Sequence, residues 1–144
     1  MDAVIDNLPL YWAGFTTTLS LTLISAAIAL VLGTILGAFR VSPVAPLRWF
    51  ATTYVELVRN TPLTLVFIFF VFVGPQLGYT PSSFFIPAVM ALSVYTAAFV
   101  CEAVRSGVNS VGVGQAEAAR AVGLTFTQTL QAIILPQALR TVIP

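Results

Sequence analysis

Three glutamates stand three residues ahead of an arginine: Glu56 and Arg59, Glu102 and Arg105, Glu117 and Arg120. On a helix this spacing sets a carboxylate and a guanidinium on one face, where a pair is worth about 0.2–0.5 kcal/mol. Catalysis needs more than ion pairs. The chain has no histidine and no lysine, so a Ser-His-Asp triad, an HExxH zinc site and a Walker A loop are all excluded. The remaining polar residues do not place a nucleophile beside a base, nor group ligands at metal spacing. A membrane enzyme is therefore a poor reading, and no metal or cofactor is expected. The single cysteine, Cys101, lies in an apolar run, excludes a disulfide within the chain and reads as a small buried residue. The three Glu-x-x-Arg pairs read most simply as helix-surface pairs at a water boundary.

The elements that carry these pairs are strongly apolar. Hydrophobic residues make up 58% of the chain and charged residues 8%, against about 25% charged in a soluble domain. The mean hydropathy is +0.98. These values point to an all-α integral membrane protein, with the lipid bilayer as its surroundings. The basic residues are scattered arginines that form no patch, so no nucleic acid partner is expected. The first ten residues carry Asp2 and Asp6 and no basic residue. They lack the positive start of a secretory signal and are expected to be retained.

Three transmembrane helices are expected. The first covers residues 14–39, behind the interfacial pair Tyr11 and Trp12. Thr16, Thr17, Thr18, Ser20 and Thr22 can bond back to their own helix, and Gly33 with Gly37 permits close approach of another. That approach is either packing within the chain or a dimer contact. Residues 40–53 read as a connection broken by Pro43 and Pro46. The second span has a clean apolar run of 63–73, too short to cross alone, so it must recruit Glu56, Arg59 and Asn60. A helix over 54–59, a break at 60–62 and a helix to about residue 72 are expected, with Thr61 as N-cap and Pro62 at the first helical position. Glu56 and Arg59 either pair at the interface or line a polar path. Residues 74–83 read as an uncharged loop. The third span covers 84–104, with Pro87 in its first turn and Glu102 and Arg105 closing it.

Arginine placement orients the chain. Arg40, Arg48, Arg59, Arg105, Arg120 and Arg140 fall in the first connection, at the start of span two, or after span three. Arginine marks the cytoplasmic side, which puts the N-terminus outside and residues after span three inside.

Beyond the third span the composition changes. Residues 112–136 hold Gly114-Gln115-Ala116-Glu117-Ala118-Ala119-Arg120-Ala121-Val122-Gly123 and then Ile133-Ile134-Leu135-Pro136. Alanine favours helix and leaves a thin side that a partner can approach. Gly123 suits a helix-ending turn, Thr125 with Gln128 fits a capping box, and Pro136 is expected to kink or stop the second helix. The local reading is helix, turn, helix; an ordinary amphipathic loop stands beside it.

Glu117-Ala118-Ala119, Gly123 and Ile133-x-Leu135-Pro136 at these offsets resemble the EAA motif of the membrane-spanning subunits of ABC importers. Glu56 to Leu63 (Glu-Leu-Val-Arg-Asn-Thr-Pro-Leu), Arg40-Val41-Ser42-Pro43 and Arg105-Ser106-Gly107-Val108-Asn109 resemble the polar amino acid branch, its glutamate and glutamine members above all. The resemblance implies one permease domain over 1–144, three transmembrane helices and a cytoplasmic coupling helix, the first part of a type I ABC importer transmembrane domain. It implies a bacterial cell membrane, a dimer of ATPase subunits, a second permease subunit (identical or not), an extracytoplasmic substrate-binding protein and a polar amino acid as substrate. Glu117, Ala118, Ala119 and Gly123 are the expected coupling contact. Glu56, Arg59, Asn60, Thr61 and Pro62 are the expected path residues. The family has two further spans after the EAA loop, which this sequence does not include. A membrane-embedded interaction or regulatory protein without transport of its own is the alternative.

Overall fold

The computed structural model describes residues 5–78 and 80–142. Asp2, Tyr79 and the last two residues lie outside it. Helix α1, Leu8–Arg40, is 33 residues long, or about 50 Å at 1.5 Å per residue, well beyond a ~30 Å hydrocarbon core. It begins before the expected residue 14 because Pro9 falls in the first turn, where its missing N–H costs nothing. The hydroxyls near its start bond back to the carbonyl one turn earlier: Thr17 to Ala13 at 2.8 Å, Ser20 to Thr16 at 2.7 Å and Thr22 to Thr18 at 2.8 Å. Self-satisfied hydroxyls are what a lipid surrounding demands.

The connection expected over 40–53 is short. Helix α2, Ala45–Arg59, starts almost at once, with Pro46 in its first turn rather than breaking it. Arg59 is its last residue, and the chain breaks at 60–62 as expected. Thr61 does not cap the next helix: its hydroxyl donates back to Leu57 O at 2.7 Å. Helix α3, Leu63–Ile68, has Pro62 at its N-cap. It widens into a π turn over Phe69–Val73 and ends in the short helix α4, Gly74–Gln76, so the expected loop loses its first residues to helix. The stretch Leu63–Gln76 is bent 102° from α2.

Helix α5, Phe85–Ser110, is the third apolar element and runs beyond its expected end at residue 104. Pro87 lies in its first turn. Then come α6, Val113–Ala121; α7, Phe126–Thr129; a second π turn, Leu130–Ile134; and α8, Leu135–Val142. Pro136 therefore does not stop the helix. In both π turns the N–H just before a proline bonds five residues back, Gly74 to Phe69 and Leu135 to Leu130. Proline clashes with the carbonyl four residues earlier in a regular helix, and the wider turn gives that carbonyl room. Among the described residues no strand occurs. Two helices, α1 and α5, are long and apolar enough to cross a membrane, and α2 with α3–α4 forms a bent third element.

The core is a seam of small residues. Ala29, Leu36, Ala97, Ala98 and Cys101 are buried where α1 meets α5, and Ala51 and Val55 of α2 join them. Gly33 and Gly37 lie on this seam. A Cβ on Gly33 would fall 2.5 Å from Val100 Cβ and 2.8 Å from Ala97 O; one on Gly37 would fall 2.7 Å from Val104 Cγ1. The glycine pair is thus packing within the chain, the first of the two readings. Tyr54 of α2 donates to Val94 O of α5 at 2.6 Å. After α6 the chain turns back, and α8 packs along α5.

Candidate functional site

The charges of the three long elements converge at one end of the seam. Glu102, on the last turns of α5, accepts a hydrogen bond from Arg40, the final residue of α1. Its second oxygen, Oε2, lies 3.5 Å from Arg59 Nη1 and 3.7 Å from Arg105 Nη1. Those two separations are longer than a hydrogen bond, so the attraction there is coulombic. The Arg40 and Glu102 side chains are 12% and 26% exposed, whereas Arg59 and Arg105 are 44% and 42% exposed. Arg40 is the sheltered partner and the other two are half in solvent. Arg59 is held by α5 a second time, its guanidinium carbon 5.4 Å from the centre of the Phe99 ring, a cation–π distance.

Of the three Glu-x-x-Arg pairs, Glu102 and Arg105 do meet. Glu56 and Arg59 do not form an ion pair, and neither do Glu117 and Arg120, among the described residues. Arg59 reaches across to Glu102 on another helix instead. Sequence reasoning missed this cluster. Spacing alone pairs Glu102 with Arg105 and places Arg40 in a connection. One signal was present: an ionisable residue inside an otherwise apolar helix needs a partner, and Arg40 closes the preceding span.

Of the expected path residues, Glu56, Arg59 and Asn60 line a polar hollow of about 320 Å³ together with Arg40, Val55 and Glu102. Asn60 donates from its amide to Glu56 O at 2.8 Å, which closes the C-terminal end of α2. Thr61 faces a different, apolar hollow of about 370 Å³ with Leu65, Val66, Phe69, Phe70 and Val94. Pro62 stands at the bend itself and lines neither. The break thus divides a charged recess from an apolar one.

The expected coupling residues lie apart from this cluster, on α6 and its turn. Helix α6 ends in a Schellman arrangement: Gly123 N–H bonds Arg120 O at 2.9 Å and Leu124 N–H bonds Ala119 O at 3.1 Å. Gly123 has φ +86°, the left-handed region, with open space around it. A residue with a Cβ is strained there. The capping box forms as read: Thr125 N–H donates to Gln128 Oε1 at 2.9 Å, and Gln128 N–H donates to Thr125 Oγ1 at 3.3 Å. Glu117, Ala118 and Gly123 are exposed. Ala119 is buried, at 2% exposure. It is the inward-facing residue of α6, a helix that also contacts the next helical stretch. Among the described residues no cluster of three acidic, cysteine or histidine side chains could hold a metal.

Long apolar helices, charges clasped at one end and a short polar helix beyond them define a helical integral membrane protein. Its family is settled by comparison with known proteins. The chain belongs to the family described as binding-protein-dependent transport system inner membrane component, whose model matches residues 29–144. It is 43% identical over 144 residues to the probable glutamine ABC transporter permease protein GlnM of Bacillus subtilis (strain 168), covering 100% of this chain and 66% of that protein. It is 47% identical over 147 residues to the glutamate transport system permease protein GluC of Corynebacterium efficiens, covering 94% of this chain and 63% of that one. A solved structure, the crystal structure of an amino acid ABC transporter with histidines, superposes with a TM-score of 0.87 at 30% identity, over 99% of this chain and 66% of that one. The chain thus spans about two thirds of the length of the relatives it matches.

Proposed function

We propose that this chain is part of a permease subunit of an ATP-driven, binding-protein-dependent importer of polar amino acids, of the glutamate and glutamine type. One observation carries this reading. The EAA segment folds as a separate capped helix that exposes Glu117, Ala118 and Gly123, in a chain of the permease family. The named relatives supply the substrate class.

In this reading residues 1–144 belong to one transmembrane domain in the inner membrane, with the N-terminus outside and residues 112–136 facing the cytoplasm. Glu117, Ala118 and Gly123 contact a separate ATP-hydrolysing subunit, present as a dimer. Ala119 acts from beneath, seating α6 on the neighbouring helical stretch. Hydrolysis of ATP belongs to that partner. An extracytoplasmic binding protein delivers the amino acid, and a second permease subunit completes the path. Glu56, Arg59, Asn60, Thr61 and Pro62 line or gate that path. The working principle is a two-state element biased from both sides of the membrane.

The test is co-purification and uptake. The protein carrying this chain, solubilised in mild detergent, is expected to bring down an ABC ATPase and, in vesicles, to import glutamate or glutamine on ATP addition. Failure to retain an ATPase overturns the permease reading. Gly123→Asp is expected to abolish uptake while ATP hydrolysis continues; wild-type uptake in that variant overturns the coupling assignment.

A further inference from the structure

Arg59 has one carboxylate in contact across a helix boundary and a second on its own helix, bordering the same hollow. Across the helix boundary is Glu102 Oε2, at 3.5 Å. On its own helix, three residues back, is Glu56, in the spacing that lets a pair close within one helix. All three side chains border the same hollow of about 320 Å³, which leaves room for a guanidinium to swing. The two contacts on Glu102 differ in kind. Arg40 is sheltered and hydrogen-bonded, whereas Arg59 is half-exposed and beyond hydrogen-bond length. One is a fixed pivot and the other can break.

We propose that Arg59 is a latch with two seats, Glu102 on α5 and Glu56 on α2, and that changing seats frees or fixes the bend at residues 60–62. The structure holds the first seat, with Phe99 of α5 supporting the guanidinium. Helix α5 runs on from Glu102 to Ser110, and α6 begins at Val113. A displacement of α6 is therefore passed along α5 to Glu102 through the short connection at residues 111–112. Moving α5 past α2 lengthens the Arg59–Glu102 contact, while Arg40 keeps α1 and α5 together. Arg59 then falls back on Glu56, and α2 is no longer tied to α5 beside the 102° bend. The latch stands on the ion-pair geometry; its place in a transport cycle rests on the permease reading above.

The experiment reads the bend directly. In membranes containing the full protein with Cys101→Ala, Thr61→Cys reports the accessibility of the break by its rate of maleimide labelling. Glu102→Gln removes the first seat and is expected to raise that rate about threefold, the shift that a half-exposed ion pair can supply. Glu56→Gln removes the second seat and is expected to lower it by a similar factor. Arg59→Gln, which leaves the Arg40–Glu102 pair untouched, is expected to raise the rate as Glu102→Gln does. Adding Glu56→Gln to Arg59→Gln is then expected to change nothing, since Glu56 acts through Arg59. The proposal is overturned if Glu56→Gln and Arg59→Gln shift labelling in the same direction, if neither shifts it, or if Glu56→Gln acts equally in both backgrounds. The Arg59 variants decide the matter even where Glu102→Gln fails to accumulate. Labelling needs no ATPase, so a latch that behaves as described in a protein that imports nothing refutes the permease reading and leaves the latch.

Discussion

The seam between α1 and α5 and the short helix α6 are built in opposite ways. Along the seam every close contact is made by a side chain or by the lack of one. Gly33 and Gly37 admit Val100 and Val104, and Glu102 gathers guanidiniums from three helices. Around α6 the holding groups are local caps: the backbone Schellman bonds at Gly123 and the side-chain-to-backbone capping box at Thr125. Its side chains, Ala119 excepted, are left largely uncovered. A region that uses its side chains internally is committed to the fold. A region shaped by caps keeps its side chains for something else.

Substitutions on the seam are expected to damage folding, and substitutions on α6 to damage function while sparing the fold. Gly33→Leu carries the largest effect. Its Cβ alone meets Val100 and the Ala97 carbonyl well inside contact distance, and overpacking of this kind costs about 1–3 kcal/mol or more. Membrane abundance and thermal stability in detergent are expected to collapse. Arg40→Ala comes next. Fully buried pairs lose about 3–5 kcal/mol when one partner is removed; this pair keeps some solvent, so a smaller loss is expected in the same melting assay. Gly123→Ala strains a left-handed residue by about 1–2 kcal/mol, whereas Gly123→Asn is tolerated there. Amide exchange is expected to speed up at position 123 and at Leu124 in the alanine variant alone. Thr125→Ala removes a cap worth about 1 kcal/mol, seen as faster exchange over α7. Glu117→Gln is the smallest in stability, within about 0.5 kcal/mol. If it nonetheless weakens ATPase co-purification, the contrast between the regions holds. If Glu117→Gln unfolds the protein, the contrast breaks.

Periodicity and punctuation make the local elements legible. The break at 60–62, the turn at Gly123 and the capping box at Thr125 can all be read from residue type and spacing, because each is decided within a few residues. Pro46 misleads, since a proline in a first turn and a proline between helices look alike until the helix start is known. Pro136 misleads for a related reason: the helix widens by one residue instead of breaking. Glu102 is hidden because its partners Arg40 and Arg59 lie far away in sequence, on other helices, and the spacing to Arg105 offers a local answer first. Burial of Ala119 is equally out of reach. In a run of alanines nothing in the sequence says which one faces inward.

The two π turns constrain chain length. A π turn is an α-helix with one surplus residue. Removing any single residue from Leu130–Ile134 would narrow the turn to α geometry and press the ring of Pro136 against the carbonyl four residues earlier. A proline that reads as a stop signal thus acts as a gauge of length: between Gly123 and Pro136 the chain can exchange residues far more freely than it can lose one.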